Sequence, residues 1–356
     1  MKTRSPARVV AVNGRFLTRP VTGVERYAGE ILSRLSIDAR VAVIVPPNRV
    51  TTPQRTRSLE TEPWTGVAGH RWEQFVLPRL ADRIDADLLV SPCNHGPLRT
   101  RSQLIVLHDL LPLRFPGFVS RPYAEWTRFA SRMLARTSRR VVTVSDRSRE
   151  EILALLDVQP EKVDVVPPGV GLPFTGISLD DVGDRLGRYC VFVGSHDRRK
   201  NLGFVLSFWD RVWKELGIEL HLIRQRSATP IDETIEVERP GVVTHLAPDD
   251  STLARLYADA LCILWPSLHE GWGIPLLECA ATGTPFLSTD VGGAPLMAVE
   301  PEQILPLDAD RWFARLERWS SSDIAPLRRR SAERARSFTW ERSATKFGES
   351  IERCFE

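Results

Sequence analysis

Two glutamates stand eight positions apart in the segment with the clearest chemical character. Glu270 lies in a glycine-bearing stretch after an apolar run, and Glu278 lies where a helix is predicted. Pro275 is favoured in the first turn of a helix, where its missing N–H would have no partner. The free N–H groups of such a helix start, together with Gly271 and Gly273, can approach a bound anion or sugar closely. The spacing favours two carboxylates that hold opposite ends of an extended ligand over two that share a proton.

Three consecutive cations, Arg198, Arg199 and Lys200, follow an apolar run that ends before Gly194. Arginine supplies fork-shaped donors and lysine a point charge, and a diphosphate is held well by both beside flexible backbone. A basic triplet at a helix start is also typical of a solvated surface. The two glutamates also fit a purely structural interpretation, in which one is a helix-start residue and the other is a buried polar residue. The residues alone leave these interpretations open.

In the first half of the chain, His108 and Asp109 follow the apolar run at 104–107. Ligands of α/β domains bind at the carboxyl ends of parallel strands, so a histidine there can reach a bound substrate. A histidine at a strand end is also commonly structural, and Asp109 can serve only to orient the loop. His108 is therefore a candidate that needs other evidence.

The elements that must position these residues form a repeated pattern. Short β-rich apolar runs alternate with helical patterns, which predicts parallel sheets with crossover helices. The pattern restarts after the proline- and glycine-rich linker at 167–171, and 356 residues suit two domains. We predict two doubly wound α/β domains, residues 1–170 and 171–335, with a ligand cleft at the carboxyl ends of both sheets. The polar stretch at 46–71 is predicted to be a long surface excursion.

Composition narrows the class of protein. Hydrophobic content of 42% and charged content of 26% are typical of a globular protein. No uncharged apolar run approaches the ~20 residues that cross a bilayer, and the N-terminal sequence lacks the apolar core of a secretory signal. The five cysteines are dispersed without a CxxC pair, which indicates reduced thiols. These features predict a cytoplasmic protein.

The net charge of +3 is divided unevenly. Residues 1–170 contain 26 Lys and Arg against 17 Asp and Glu, a charge of +9, so residues 171–356 carry −6. The asymmetry fits either compositional drift or a first half that faces an anionic surface such as phospholipid. The arginines are spread along the segment without a stacking motif, which argues against a nucleic-acid partner.

No metal cofactor is expected. The Asp-x-Asp pairs are Asp85 with Asp87 and Asp308 with Asp310, and neither follows a strand beside the basic turn. We expect the side-chain cations and helix-start amides to stabilise a leaving diphosphate instead.

The segment around Glu270 and Glu278 resembles the E-x7-E motif of retaining glycosyltransferases with the GT-B fold, glycosyltransferase family 4. Pro-Ser before the first glutamate and Ala-x-Gly-Thr-Pro after the second match as well. The resemblance implies that Glu270 contacts hydroxyls of the donor sugar and that Glu278 binds the ribose of the nucleotide. It also assigns the intervening residues to the donor site: Gly271, Trp272, Gly273 and Ile274.

Other segments resemble the same family. The basic turn matches a motif in which Arg199 and Lys200 would hold the donor diphosphate, while Arg198 stands where proline is common and receives no role. His108 would lie beside the reacting sugar, and Gly23 would lie in a loop near the diphosphate. Weaker matches include Trp72-Glu73 and the closing segment 336–356, which would form a C-terminal helix that crosses back to the first domain.

The resemblance implies an enzyme that transfers a hexose from a nucleotide sugar with retention, its first domain binding the acceptor and its second the donor. Mannose on a guanine nucleotide is favoured, with a saccharide or lipid-linked saccharide acceptor in bacterial surface polysaccharide or glycolipid synthesis. Expected partners are the donor, the acceptor and an anionic membrane at the inner face of the cell membrane. The alternatives are another GT-B enzyme, such as an epimerase or a phosphorylase, and a non-catalytic nucleotide-sugar-binding subunit.

Overall fold

The computed structural model describes residues 8–46, 69–178, 188–194, 197–224 and 238–356. The chain divides into two compact units, the first formed by Met1–Pro168 with Trp340–Glu356 and the second by Gly169–Thr339. The predicted boundaries, after 170 and 335, lie within a few residues of these. Most of the predicted surface excursion lies outside the described residues.

The first unit contains a six-stranded sheet in which all neighbouring strands are parallel, in the order β2-β1-β3-β4-β5-β6. Its strands are β1 Arg8–Asn13, β2 Ala39–Ile44, β3 Leu88–Ser91, β4 Gln103–Val106, β5 Arg140–Thr143 and β6 Val163–Val165. β3 and β4 are buried along their whole length, as expected of a parallel sheet covered on both faces. The strand order reverses between β1 and β3, which makes their carboxyl ends the switch point of the sheet.

The second unit contains a five-stranded parallel sheet in the order β11-β10-β7-β8-β9. Its strands are β7 Tyr189–Val193, β8 Glu219–Arg224, β9 Val242–Leu246, β10 Cys262–Trp265 and β11 Phe286–Ser288. Here the order reverses between β7 and β10. The prediction of two doubly wound parallel-sheet domains is confirmed.

Helices connect the strands in both units. They are α1 Gly23–Arg34, α2 Gly69–Phe75, α3 Leu77–Arg83, α4 Leu111–Arg114, α5 Arg121–Thr137, α6 Asp146–Leu155, α7 Leu202–Leu216, α8 Asp250–Ala258, α9 Ile274–Ala281, α10 Ala294–Met297, α11 Ala309–Ser320, α12 Ala325–Arg336 and α13 Trp340–Glu352. Within the described part of the chain, no helix is both long and apolar enough to span a membrane.

The core of the second unit lies on both faces of its sheet. Val191 of β7 and Trp265 of β10 belong to one buried cluster, while Phe192 and Leu264 belong to another. Because successive side chains of a strand point to opposite faces, the two clusters occupy opposite sides of the sheet. Helices cover both sides, and the central strands β7 and β10 are buried at nearly every position.

The C-terminal helix α13 packs against α1 within the first unit. The rings of Tyr27 and Trp340 are 6.3 Å apart, and Arg34 Nε lies 2.8 Å from Glu341 Oε1. A Cβ atom on Gly348 would come within 3.2 Å of Ile37, which shows how closely the helix approaches the segment after α1. The C-terminal segment Trp340–Glu356 therefore belongs to the first unit.

Candidate active site

The loop between β10 and α9 carries the two glutamates that the sequence singled out. Pro275 stands in the first turn of α9, and Gly273 caps that helix with a φ of +102°, in the left-handed region that favours glycine. Glu270 is 7% exposed in the loop, and Glu278 is 5% exposed inside the helix. Only the second half of the eight-residue spacing is helical, so the two carboxylates belong to different local structures.

Glu270 forms a buried ion pair with Lys200. Lys200 Nζ lies 2.7 Å from Glu270 Oε1, and the two side chains are 14% and 6% exposed. The ammonium also lies over the ring of Trp265, 4.0 Å from its centroid. Burial would raise the pKa of Glu270, but the charges of Lys200 and Arg199 outweigh it and hold the pKa below its usual value. The carboxylate is therefore charged at neutral pH.

The strand order explains this pairing. Lys200 belongs to the turn after β7, Glu270 belongs to the loop after β10, and these strands are neighbours at the switch point of the sheet. Backbone contacts fix the two loops together, since Leu268 N donates to Arg199 O at 2.9 Å and the Asn201 amide donates to Pro266 O at 3.3 Å. Switch points are where open α/β sheets bind ligands.

Asp197 shapes the basic turn. Its Oδ1 accepts a hydrogen bond from Arg199 N at 2.9 Å, and its Oδ2 lies 3.3 Å from Arg199 Nε. Arg199 is 20% exposed at its side chain, whereas Arg198, which received no role, is exposed to solvent. The turn thus holds the Arg199 guanidinium close enough to act on the Glu270 carboxylate, while Arg198 lies at the surface.

Trp272 packs inside the second unit. Its indole lies 5.4 Å from the ring of Phe338, and its backbone O accepts from Gly293 N at 2.9 Å. A Cβ atom on Gly293 would come within 2.6 Å of the indole. The ring is thereby 4% exposed. Gly271, Gly273 and Ile274 share its buried loop and helix start.

The sequence analysis did not single out Gly292 and Gly293, which follow β11. A Cβ atom on Gly292 would lie 2.5 Å from Trp272 O, and its φ of +52° favours glycine. Both glycines allow the loop after β11 to pack directly on the loop that carries Glu270. The adjacent pair of glycines a few residues after the run Phe286–Ser288 was the available signal.

In the first unit, His108 follows β4 and is 6% exposed. Its Nε2 lies 2.9 Å from Pro92 O, and its ring packs edge-on against Tyr27 at 4.9 Å. A carbonyl only accepts, so Nε2 carries the proton and Nδ1 keeps its lone pair. Burial lowers the pKa of His108, which favours the neutral ring. The imidazole can orient a polar ligand group through Nδ1, as a neutral partner.

Two further predicted residues of this unit lie at helix starts, Asp109 just before α4 and Gly23 at the first position of α1. Asp109 Oδ1 accepts from Leu111 N at 3.2 Å and so supports the turn into α4. Gly23 is the first residue of α1, after Thr22 and Glu25 form a capping box. Gly23 is exposed to solvent at that helix start.

Glu73 organises a buried polar network in the first unit. Its Oε1 accepts from Asn13 Nδ2 at 2.8 Å, its Oε2 lies 2.7 Å from Arg15 Nη1, and the side chain is 1% exposed. Burial opposes its ionisation, yet the hydrogen bond with His70 and the charge of Arg15 hold its pKa below the usual value. The weak Trp72-Glu73 match indicated helix α2 but gave Glu73 no role. The sequence analysis also missed Asn13, the last residue of β1, and Arg15, which follows two residues later.

The two Asp-x-Asp pairs have structural contacts. Asp87 Oδ2 accepts from Val9 N at 2.8 Å, and Asp308 caps α11 by accepting from the backbone N–H groups of Asp310 and Arg311. Among the residues that the structure describes, no group of three or more His, Cys, Asp or Glu could hold a metal ion.

Comparison with known proteins agrees with this architecture. Residues 21–172 match the family model of Glycosyltransferase Family 4, and residues 187–320 match that of Glycosyl transferases group 1. Each half of the chain therefore matches a glycosyltransferase family model.

Two relatives are named as O-antigen chain mannosyltransferases. The chain is 25% identical over 258 residues to O-antigen chain mannosyltransferase RfbU of Salmonella typhimurium, covering 70% of this chain and 68% of that protein. It is 23% identical over 367 residues to O-antigen chain mannosyltransferase B of Escherichia coli, covering 92% and 94%.

Among solved structures, HepE of Anabaena in complex with UDP and glucose matches with a TM-score of 0.68 at 13% identity, covering 98% of this chain and 100% of that one. At this identity the likeness shows the fold, which is GT-B. Fold, domain matches and relatives together support a GT-B glycosyltransferase.

Proposed function

We propose that this chain, each half of which matches a glycosyltransferase family model, transfers a hexose from a nucleotide diphosphate sugar to a saccharide or lipid-linked saccharide with retention of configuration. We place the reaction in the synthesis of bacterial surface polysaccharide or glycolipid. The observation that carries the proposal is the buried Lys200–Glu270 pair at the switch point of the second sheet. The Glu270 carboxylate lies there on the loop after β10, and the cations Arg199 and Lys200 lie on the turn after β7. These two loops carry the two motifs found in the sequence, the paired glutamates and the basic turn.

Mannose on a guanine nucleotide is the favoured donor. The activity named for two relatives, RfbU and mannosyltransferase B, supports mannose as the sugar. UDP bound to HepE supports a nucleotide diphosphate at the fold level without choosing the base. The base and sugar are therefore the first quantities to measure.

We propose different roles for the two charged groups of the pair. Glu270, charged and 7% exposed, would stabilise the positive character that develops on the sugar as its bond to phosphate breaks. Arg199 and Lys200 supply the positive charge that neutralises the leaving diphosphate. Glu278 would bind the ribose, alike in the ground state and the transition state. For retention we adopt the mechanism that the resemblance implies, in which the leaving phosphate assists the incoming hydroxyl on the same face.

We propose that these cations do the work that a metal ion does in other transferases. Asp87 and Asp308 are committed to backbone contacts in their own loops. Donor turnover should therefore persist in excess chelator. Activity that disappears with chelator and returns with magnesium or manganese would show that the phosphates are held differently.

We propose that the acceptor is presented at a membrane and that the protein is cytoplasmic, peripheral on the inner face of the cell membrane. Helix α5 exposes Tyr123, Trp126 and Phe129 at successive turns, with Phe129 54% exposed. Arg121 and Arg132 of the same helix are exposed as well. Aromatic side chains beside arginines suit the interface of an anionic bilayer. A nucleic-acid partner is not proposed.

The deciding experiment starts from a thermal-shift panel of guanosine, uridine, adenosine and thymidine diphosphates and their sugars, because a true ligand stabilises by mass action. The donor found there is incubated with extracted lipid-linked acceptors, and the product linkage is read by NMR. Acceptor-dependent release of nucleoside diphosphate with an α-linked product from an α-linked donor supports the proposal. Donor binding without turnover would favour a non-catalytic subunit, and release without acceptor would favour an epimerase.

A further inference from the structure

The Lys200 side chain is held by contacts with three other residues of the second unit. A Cβ atom on Gly194 would come within 2.9 Å of Lys200 Cγ, so the aliphatic stem of the lysine lies across that glycine. At the far end of the side chain, Nζ lies 2.7 Å from Glu270 Oε1 and 4.0 Å from the centroid of the Trp265 ring. The proposed function gives roles to the lysine and the glutamate but none to the tryptophan.

Trp265 is more than a filler of the core. It is the last residue of β10 and is 1% exposed. Its Nε1 donor has no hydrogen-bond partner among the residues that the structure describes. A buried donor without a partner destabilises a fold, so leucine or phenylalanine would fill a purely structural position at a lower cost. What the tryptophan supplies is the face of its indole, which is the negative side of the ring quadrupole.

Burial works against the charge on Lys200. It lowers the pKa of the ammonium, and the Glu270 carboxylate opposes this effect. Two charged groups of the same turn also act on Lys200, because Arg199 lowers its pKa and Asp197 raises it. Burial prevails, so the pKa of Lys200 lies below its usual value. A diphosphate is bound by the charged form, so a contact that favours the ammonium over the neutral amine favours binding.

The face of an indole suits this task better than a second carboxylate. Attraction of a cation to an aromatic face is strongest for tryptophan and grows when the pair is desolvated. An ammonium has three donors, and Glu270 Oε1 accepts from one of them. The ring adds no oxygen that would compete with a phosphate for the others. Lys200 can therefore stay charged and in place while part of its ammonium is left for a ligand.

We propose that Trp265 is a positioning residue for the donor diphosphate, whose indole face holds the Lys200 ammonium charged and in place beside Glu270. Trp265 acts through Lys200 and does not itself contact the reacting atoms. The inference rests on the proposed function, because that function gives Lys200 a diphosphate as its ligand.

The test changes the electrostatics of the ring while keeping its shape. Tryptophan with progressively more fluorine atoms is incorporated at position 265 alone in the full-length protein, since fluorine withdraws electron density from the ring face that attracts the cation. The matched control is the same series at Trp319 of α11, which is 3% exposed and lies 5.8 Å from the guanidinium carbon of Arg315. Trp265 and Trp319 belong to buried clusters on opposite sides of the sheet.

The first measurement is the titration of Lys200 itself by NMR. The chain contains five lysines, so protein that is isotope-labelled at lysine Cε gives a signal that Lys200→Arg identifies. The acid dissociation constant of Lys200 should rise with each added fluorine at position 265, by roughly tenfold over the series. The series at Trp319 should leave it unchanged. A Lys200 titration that does not respond to fluorine at position 265 would overturn the inference.

The second measurement is calorimetric titration with GDP and UDP from neutral to alkaline pH. Nucleotide affinity should fall as Lys200 loses its proton, and the fall should begin at lower pH with each fluorine at position 265. Because the bases of GDP and UDP also titrate in alkali, Lys200→Arg supplies the reference, since its guanidinium stays protonated throughout. The series at Trp319 should reproduce the wild-type profile.

The outcomes separate the inference from the proposed function. Nucleotide binding that depends on Lys200 but ignores fluorine at position 265 would overturn the role of Trp265 alone. Binding with the same pH dependence in the wild type and in Lys200→Arg would overturn it together with the contact of Lys200 to the diphosphate. Absence of sugar transfer by the wild type would contradict the proposed function, while the two titrations would still decide the role of Trp265.

Discussion

Lys200 Nζ lies 2.7 Å from Glu270 Oε1 and 4.0 Å from the centroid of the Trp265 ring. The cation predicted for the diphosphate thereby contacts the carboxylate predicted for the sugar. Because the pair is buried, we expect it to affect the stability of the second unit as well as its binding of ligands. The pair holds the pKa of Glu270 below its usual value, although burial outweighs the carboxylate and lowers the pKa of Lys200, so each group depends on the other.

Removal of one partner should cost more than removal of both. Lys200→Met leaves Glu270 buried beside only Arg199, and we expect the second unit to lose about 3–5 kcal/mol of stability, the usual cost of an uncompensated buried charge. The double variant Lys200→Met, Glu270→Gln should recover a large part of that loss. Urea unfolding of the single and double variants forms the cycle.

The exposed pair on α7 is the matched control for that cycle. Arg211 and Glu215 are 3.1 Å apart, with side chains 47% and 54% exposed. Solvent screens such a pair, so its removal should cost less than about 1 kcal/mol. Equal costs for the two pairs would show that burial contributes nothing to the contact of Lys200 with Glu270.

The same pair predicts a dependence of stability on pH. The pKa of Glu270 is lowered in the folded protein, so its stabilising effect is complete above the unfolded value near 4.5. That effect should be lost as the pH falls through the lower folded pKa, where the carboxylate takes up a proton. The difference in unfolding free energy between wild type and Glu270→Gln should therefore be constant from pH 7 to about 5 and shrink below it. A difference that grows on acidification would reverse the sign of the assigned shift.

The two glutamates should separate binding from turnover. Glu278→Ala should weaken binding of the nucleoside diphosphate by about 1.5–3 kcal/mol, the range for hydrogen bonds to a charged group. Glu270→Ala should lower turnover more than donor affinity, because its interaction grows in the transition state. His108→Ala should resemble it, since it is also assigned to the sugar. Calorimetry with the bare nucleotide and initial rates with the donor measure both effects.

A control comes from Glu278→Gln, which keeps the size of the side chain in the buried helix. If Glu270→Ala abolishes nucleotide binding while both Glu278 variants bind normally, the donor lies in the opposite orientation.

The exposed aromatic side chains of α5, Tyr123, Trp126 and Phe129, should determine how strongly the protein binds membranes. Replacement of Trp126 and Phe129 by serine should weaken cosedimentation with anionic vesicles, because both side chains are exposed beside arginines. The matched control is Leu246→Ser, which removes a side chain that is 74% exposed in the second unit. Wild-type binding should also fall as salt shortens the Debye length below ~8 Å. Equal, salt-insensitive binding to neutral and anionic vesicles would leave a soluble acceptor as the better interpretation.

Much of the fold follows from local patterns. Among the β-rich runs that alternate with helical patterns, those at 189–193, 219–223 and 242–246 lie on β7, β8 and β9. β7 is buried at four of its five positions, as expected of a central parallel strand covered on both faces, so its apolar run is visible without knowledge of its neighbours. Pro275 marked the start of α9 for an equally local reason, since only the first turn of a helix tolerates proline well.

The sequence by itself therefore determined the two doubly wound sheets and the loops that carry Glu270, Lys200 and His108. It did not determine their partners. Seventy positions separate Lys200 from Glu270, and only the order of β7 and β10 in the sheet brings them within 2.7 Å. The same holds for Arg15 and Glu73, whose contact needs α2 to pack at the end of β1. Strand order and helix packing arise from long-range burial of apolar surface, which leaves no local pattern at the residues that it brings together.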